Sequence, residues 1–188
     1  LTVAVGSATY RLEVDGKNVT IEPSGLPADV VRLEVRRSSD GEVGTWTLLP
    51  TTTNPVNGAT LISIDASPGE PLLLRIQPYN SRGNRPVYRA QASWLDGSGL
   101  RAHPVADSRE PGRTNISWIP VVEGDTPVSF EVRTQRVTGP PTEEAITGTR
   151  FVAEAPPTGR SFFAVRSVFA NGTTGPWIET SPVPSSFD

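Results

Sequence analysis

The stretch L72-L-L-R-I-Q-P-Y-N-S-R-G-N-R-P86 alternates apolar and polar residues and then breaks at Asn80 and Gly83. Such a period-two run ended by turn-formers reads as a half-buried strand followed by a tight turn. A looser echo, F163-A-V-R-S-V-F-A-N-G-T-T-G-P-W177, lies about ninety residues later. A repeat at that distance is about the length of one seven-strand sandwich. The two stretches therefore read as the same penultimate strand and turn in two copies of one module.

The rest of the chain supports this phase. TYRLEV puts Tyr10, Leu12 and Val14 on one face, and Asp15-Gly16 supplies a turn before NVTIEP, with Val19 and Ile21. VRLEV reads as Val31, Leu33 and Val35 inward, against Arg32, Glu34 and Arg36 outward. TWTLL, TLISI (Ile62, Ile64), LLLRI (Leu72, Leu74, Ile76) and VYRAQASW complete the first half. In the second half, NISWIP carries Ile116 and Trp118, and SFEVRTQ carries Phe130, Val132 and Thr134. AITG and RFVAEA read as shorter strands. FAVRSVF carries Phe163, Val165 and Phe169, with Ser167 a polar intruder. PWIETSPV reads as one last strand. No segment sustains a helical period, and prolines punctuate the connections, where they disturb no ladder. Many short strands with regular turn signals read as a β-sandwich or barrel, and the prediction is an all-β protein of two such modules, residues 1–96 and 97–188, joined by the polar, Gly-bearing hinge LDGSGL at 95–100.

Composition narrows the chemistry. The 188 residues carry a net charge of −3, with nine basic and ten acidic residues up to Asp96 and eight and ten after it. That balance leaves no footprint for nucleic acid or an anionic membrane, and no apolar run suits a membrane helix. Cysteine is absent, which excludes disulfides, thiolate metal sites and cysteine nucleophiles. Methionine is absent too and the chain opens on Leu1, as expected of a processed or excised piece of a longer protein. Lys17 is the one lysine among seventeen basic residues, a bias expected of a GC-rich coding genome.

Catalytic constellations are hard to assemble. His103 is the single histidine, which rules out a two-His zinc site and leaves a serine nucleophile without a plausible base. Glu143 and Glu144 are adjacent on a presumed edge strand and point to opposite faces. Glu123 and Asp125 flank Gly124 but lack the oxygen-rich loop that calcium prefers. Neither an enzyme nor a cofactor is expected. Asn18, Asn115 and Asn171 head Asn-x-Ser/Thr sequons, which matter only in a eukaryotic secretory setting. The candidate contact surface is the arginine-rich turn after the first penultimate strand: Tyr79, Arg82, Arg85 and Arg89, with Arg75 nearby. Arg and Tyr are enriched at binding hot spots, and turn tips are where a sandwich carries its contacts. Trp118 is expected in the core, Trp46 and Trp177 over the module ends, and Trp94 at the hinge.

These residues carry a resemblance to fibronectin type III domains. NISWIP with Trp118 resembles the family's second strand, and FEVRT its third, with Phe130 where tyrosine is usual. PPTGRSFFAVRSVFANG and PGEPLLLRIQPYNSRG resemble its Pro-Gly corner, sixth strand and turn. Leu72 and Phe163 (or Phe162) stand where the family has a corner tyrosine, Ile21 replaces the second-strand tryptophan in the first module, and LTVAV at the start is extra. The resemblance implies tandem immunoglobulin-like sandwiches. It further implies a non-catalytic structural or adhesion role of the kind such modules have in phage tail-tip and tail-fibre proteins. On that reading the tandem is virion-associated or extracellular. Its partners are other subunits or domains of a larger assembly, or a cell-surface glycan or protein. Spacer or accessory modules of a secreted bacterial polysaccharide-degrading enzyme are the alternative.

Overall fold

A computed structural model describes residues 1–5, 7–15, 17–50, 60–64, 72–83, 90–136, 139–154 and 161–182. Every regular element among them is a strand, and the chain divides into two compact units, Leu1–Trp94 and Leu95–Asp188.

The first unit has two four-stranded antiparallel sheets. One runs β1-β2-β3-β6, from β1 (Thr2–Val5), β2 (Ala8–Asp15), β3 (Asn18–Ser24) and β6 (Thr60–Ser63). The other runs β5-β4-β7-β8, from β4 (Val30–Ser38), β5 (Thr47–Leu49), β7 (Leu73–Asn80) and β8 (Ala90–Ser93). Alternate residues of both sheets meet in one apolar cluster: Tyr10, Leu12, Val19, Ile21 and Ile62 from the first, Leu33, Val35, Leu74 and Ile76 from the second. Neither sheet could bury its apolar face alone, so this shared cluster is what holds the unit together. The starting segment LTVAV, extra to the expected plan, is β1. It closes the β2 edge and lays Val3 and Val5 against the cluster.

Two expected inward residues differ. Val31 is 41% exposed and Val30 is fully buried in its place, because a bulge at Val30–Arg32 inserts one residue against β7 and flips the phase. Val14 lies 43% exposed toward the end of β2, on the right face but beyond the reach of the opposing sheet. Trp94 packs against the first unit's own cluster.

The second unit has sheets β13-β10-β9-β16 and β12-β11-β14-β15. Their strands are β9 (Val105–Asp107), β10 (Arg113–Ser117), β11 (Ser129–Arg136), β12 (Thr142–Ile146), β13 (Arg150–Glu154), β14 (Ser161–Val168), β15 (Ile178–Glu179) and β16 (Ser181–Pro182). Ile116, Trp118, Phe130, Val132, Phe163 and Val165 are all buried, and Trp118 meets Phe130 edge-on at 5.4 Å between centroids. The expected single last strand is two. It leaves β14 after Glu179 and joins the other sheet, where Ser181 and Pro182 run parallel to β9. Proline tolerates this edge position because it has no amide to offer a further neighbour.

The expected hinge is also shorter than its composition suggested. Ser98 and Leu100 are buried, the Gly99 carbonyl accepts the Val121 amide at 2.9 Å, and Leu100 bridges to Pro120. Residues 98–100 thus belong to the packed second unit.

Strand order repeats. Counting within each unit and setting β1 and β16 aside, the first, second and fifth strands share one sheet, and the third, fourth, sixth and seventh share the other. Strands β2-β3-β6 match β9-β10-β13, and β5-β4-β7-β8 matches β12-β11-β14-β15.

Candidate functional site

The sixth strands carry the opening repeat, and in the turn after each an Asn side chain accepts a backbone amide. Asn80 Oδ1 accepts the Arg82 amide at 3.1 Å, and Asn171 Oδ1 accepts the Thr173 amide at 3.0 Å. In both, the Asn side chain satisfies the amide two residues on, which is why Asn sits there. Gly83 supplies a φ of +76° that an L-side chain rarely adopts.

Arg82 stands exposed in the first of these turns. Tyr79 does not. It lies in β7, only 7% exposed, with its hydroxyl donating to Glu34 Oε2 at 3.0 Å and the Arg32 guanidinium 4.3 Å over its ring. The structure therefore places Tyr79 in the sheet and Arg82 at the tip, while Arg85 and Arg89 lie outside the described residues. The Pro68-Gly69 corner and the corner before β14 lie outside them as well. Since Arg82 is exposed, we expect Arg82→Ala to move the melting temperature by less than about 4 °C, within the roughly 0.5 kcal/mol typical of surface changes. Thermal unfolding checks this, and a larger fall would make Arg82 structural.

The core-facing phase of β4 and β7 leaves Arg32, Glu34 and Arg36 of one strand, and Arg75, Gln77 and Tyr79 of the other, on the opposite face. Glu34 accepts from Arg32 Nη1 at 3.0 Å and Arg36 Nη2 at 3.5 Å as well as from Tyr79. Arg75 lies across from Arg36 and stacks on Trp46 at 3.9 Å. One carboxylate thus serves three donors, on a face that carries three guanidinium groups.

The loop leading to Trp46 is tied down by Asp40. Its Oδ1 accepts from the Glu42 amide at 2.9 Å, the Thr45 hydroxyl at 2.7 Å and the Ser38 hydroxyl at 3.0 Å. Partial desolvation pushes the Asp40 carboxyl up, but these hydrogen bonds together outweigh it and hold the group below the ordinary value.

The corresponding face of the second unit is arranged differently. Trp177, 1% exposed, lies between Arg133 at 4.1 Å and Arg166 at 4.5 Å. Arg133 is held by Glu143 Oε1, 2.7 Å from Nη2 and 2.8 Å from Nε, and Arg166 by Glu131 Oε2 at 2.5 Å. Each arginine thus has its own carboxylate. The sequence reading missed both arginine–tryptophan stacks. Its available signal was an arginine in the outward phase of both echoed stretches, Arg75 and Arg166, paired with a tryptophan elsewhere in the same module.

The remaining candidates stay apart. Glu123 and Asp125 are exposed loop acids, Glu143 is paired and Glu144 exposed, and His103 is half-buried just ahead of β9. Among the described residues no three metal-ligating side chains converge. The three sequon asparagines are exposed.

Asp107 carries the largest carboxylate shift among the described residues. Hydrogen bonds from the Arg109 side chain, then from its amide, lower it to about 2. A depressed carboxylate stabilises the fold above its unfolded value, near 3.9, and loses that contribution as pH falls through its folded value. We expect the second unit's stability to decline between about pH 4 and pH 2, and Asp107→Asn to flatten that decline. Denaturant unfolding at stepped pH measures it; an unchanged slope in the variant would remove Asp107 from the account.

No protein-family model matches the chain, and no curated protein matches it.

Proposed function

We propose that this chain is a tandem of fibronectin type III-like sandwiches. In this reading it serves as a non-catalytic spacer and adhesion element, as in a phage or phage-like tail, at a virion or cell surface. The observation that carries the reading is the repeated strand order, with the same outward arginine of the sixth strand stacked on a tryptophan in each unit. A repeated rigid module suits spacing, and weak surface contacts gain through copy number, by about 10² to 10⁴ in avidity. Fold alone does not carry function, so the reading rests on the outward faces, where paired charges and stacked rings offer contact chemistry.

Binding of the fluorescently labelled chain to whole bacterial cells tests it. We expect saturable retention on the cell surface and no turnover of the surface polymer. Absence of retention, or release of soluble sugar, would overturn the reading. Preferential capture by soluble plant or chitin oligosaccharides would instead favour an accessory module of a polysaccharide-degrading enzyme.

A further inference from the structure

We propose that the outward face of β4 and β7 in the first unit binds an anionic polysaccharide through Arg32, Arg36 and Arg82. The inference deepens the adhesion reading and rests on it.

The two units supply the contrast. Arg75 of β7 and Arg166 of β14 hold the same place in the repeat, both outward and both over a tryptophan. Across the ladder from Arg166 stands Glu131, and the two are paired. Across from Arg75 stands Arg36. Like charges directly opposite in a sheet are destabilising, whereas opposite charges help. The second unit has the favourable pair at this place and the first has the unfavourable one. Local conflict of this kind concentrates where a surface serves something besides stability.

The charge left over is accessible. Glu34 is spread over Arg32, Arg36 and Tyr79, so it cannot neutralise both guanidinium groups. The Arg32 and Arg36 side chains are 56% and 43% exposed. Four residues apart on one strand, they are separated by about 13 Å along it. Arg82 stands exposed in the turn that follows β7. Guanidinium forks bind carboxylate or sulfate in a bidentate way, and a line of them suits an extended polyanion better than one small ion.

The aromatic groups decide between a glycan and an acidic polypeptide. Protein partners anchor on desolvated aromatic and aliphatic side chains. Here Arg32 covers a face of Tyr79 and Arg75 a face of Trp46, and Tyr79 is buried. Leu48, across from Arg36, is the large aliphatic side chain this face exposes; around it the face offers mainly hydrogen-bond donors and positive charge, which match a polymer of hydroxyl and acidic groups.

The test measures binding of the full chain, at low ionic strength, to polygalacturonate, dextran sulfate, uncharged dextran and poly-L-glutamate. We expect polygalacturonate or dextran sulfate to bind at least about tenfold tighter than dextran or polyglutamate, with affinity falling as salt rises. The first two polymers separate carboxylate from sulfate recognition. Arg36→Glu, which puts a carboxylate across from Arg75 and a second one beside Glu34, should weaken binding at least about tenfold. Arg32→Gln repeats the test should Arg36→Glu fail to fold. Failure to bind either acidic glycan, equal binding of polyglutamate, or unaltered binding in the variants would overturn the proposal. Whole-cell retention that survives those failures leaves the adhesion reading standing on another surface. Glycan binding without cell retention would do the reverse.

Discussion

Trp177→Ala lowers the stability of the second unit by about 3–5 kcal/mol, the range for deleting a buried aromatic ring. In a unit of this size that is a fall of roughly 12–40 °C in its melting temperature. The ring sits on the outward face of a sheet, yet it is 1% exposed because Arg133 and Arg166 lie against it. Burying such a side chain removes about 150–250 Å² from water, and each stacked guanidinium adds about 0.5–2 kcal/mol. Removing the ring also strips Arg133, 6% exposed, of its apolar neighbour and leaves it with Glu143. A buried charge that loses part of its surroundings is costly. Trp177→Phe keeps a ring face for the guanidinium groups and should lose less. Calorimetry of the whole chain checks both: the second unit's transition should move and the first unit's should stay. A shift below about 1 kcal/mol for Trp177→Ala would mean the arginines cover the ring without being held by it.

This stack shows where sequence reading reaches and where it stops. The strands were legible because their apolar residues recur every second position and turn-formers end them. Tyr10, Leu12, Val19, Ile21, Ile62, Leu74 and Ile76 all lie in the expected core. The phase failed at Val31, since a bulge changes the count of residues without changing their kinds, and composition does not record it. PWIETSPV read as one strand because nothing in it announces that the chain switches sheets at Thr180. What decides the switch is the open edge of β9, a partner distant in sequence. In the first unit β1 takes the matching edge, which is why LTVAV exists as a strand at all.

The candidate site was legible in part for the same reason. Arginines stood out by their number around the turn, but their roles depend on cross-strand partners. Tyr79 and Arg82 are three residues apart, and one is a buried sheet residue while the other is an exposed tip. The difference between Arg36 and Glu131, opposite equivalent arginines, becomes visible only once the register of β4 with β7 and of β11 with β14 is known.

The connecting stretch LDGSGL poses the sharpest comparison. Gly97 and Gly99 have nearly the same backbone, with φ of +74° and +75°. A β-carbon at Gly97 would meet open space. One at Gly99 would stand 2.6 Å from Ser167 Oγ and 2.8 Å from Pro127 Cγ. Gly97→Ala should therefore carry the left-handed backbone penalty alone, about 1–2 kcal/mol. Gly99→Ala should carry that penalty plus about 1–3 kcal/mol of overpacking, about 2–5 kcal/mol in all. The contact also explains the polar intruder of β14. Ser167 faces the core at 0% exposure, and with Gly99 and Pro127 pressed against it a larger apolar side chain there would collide. Urea unfolding of the two variants isolates the difference, since their backbone terms cancel. Equal losses would mean that residues 98–100 are not clamped onto β14, and the stretch would then act as the free hinge its composition suggests. A larger loss at Gly99 makes Leu95, Asp96 and Gly97 the part of the connection that the second unit's packing leaves unclamped.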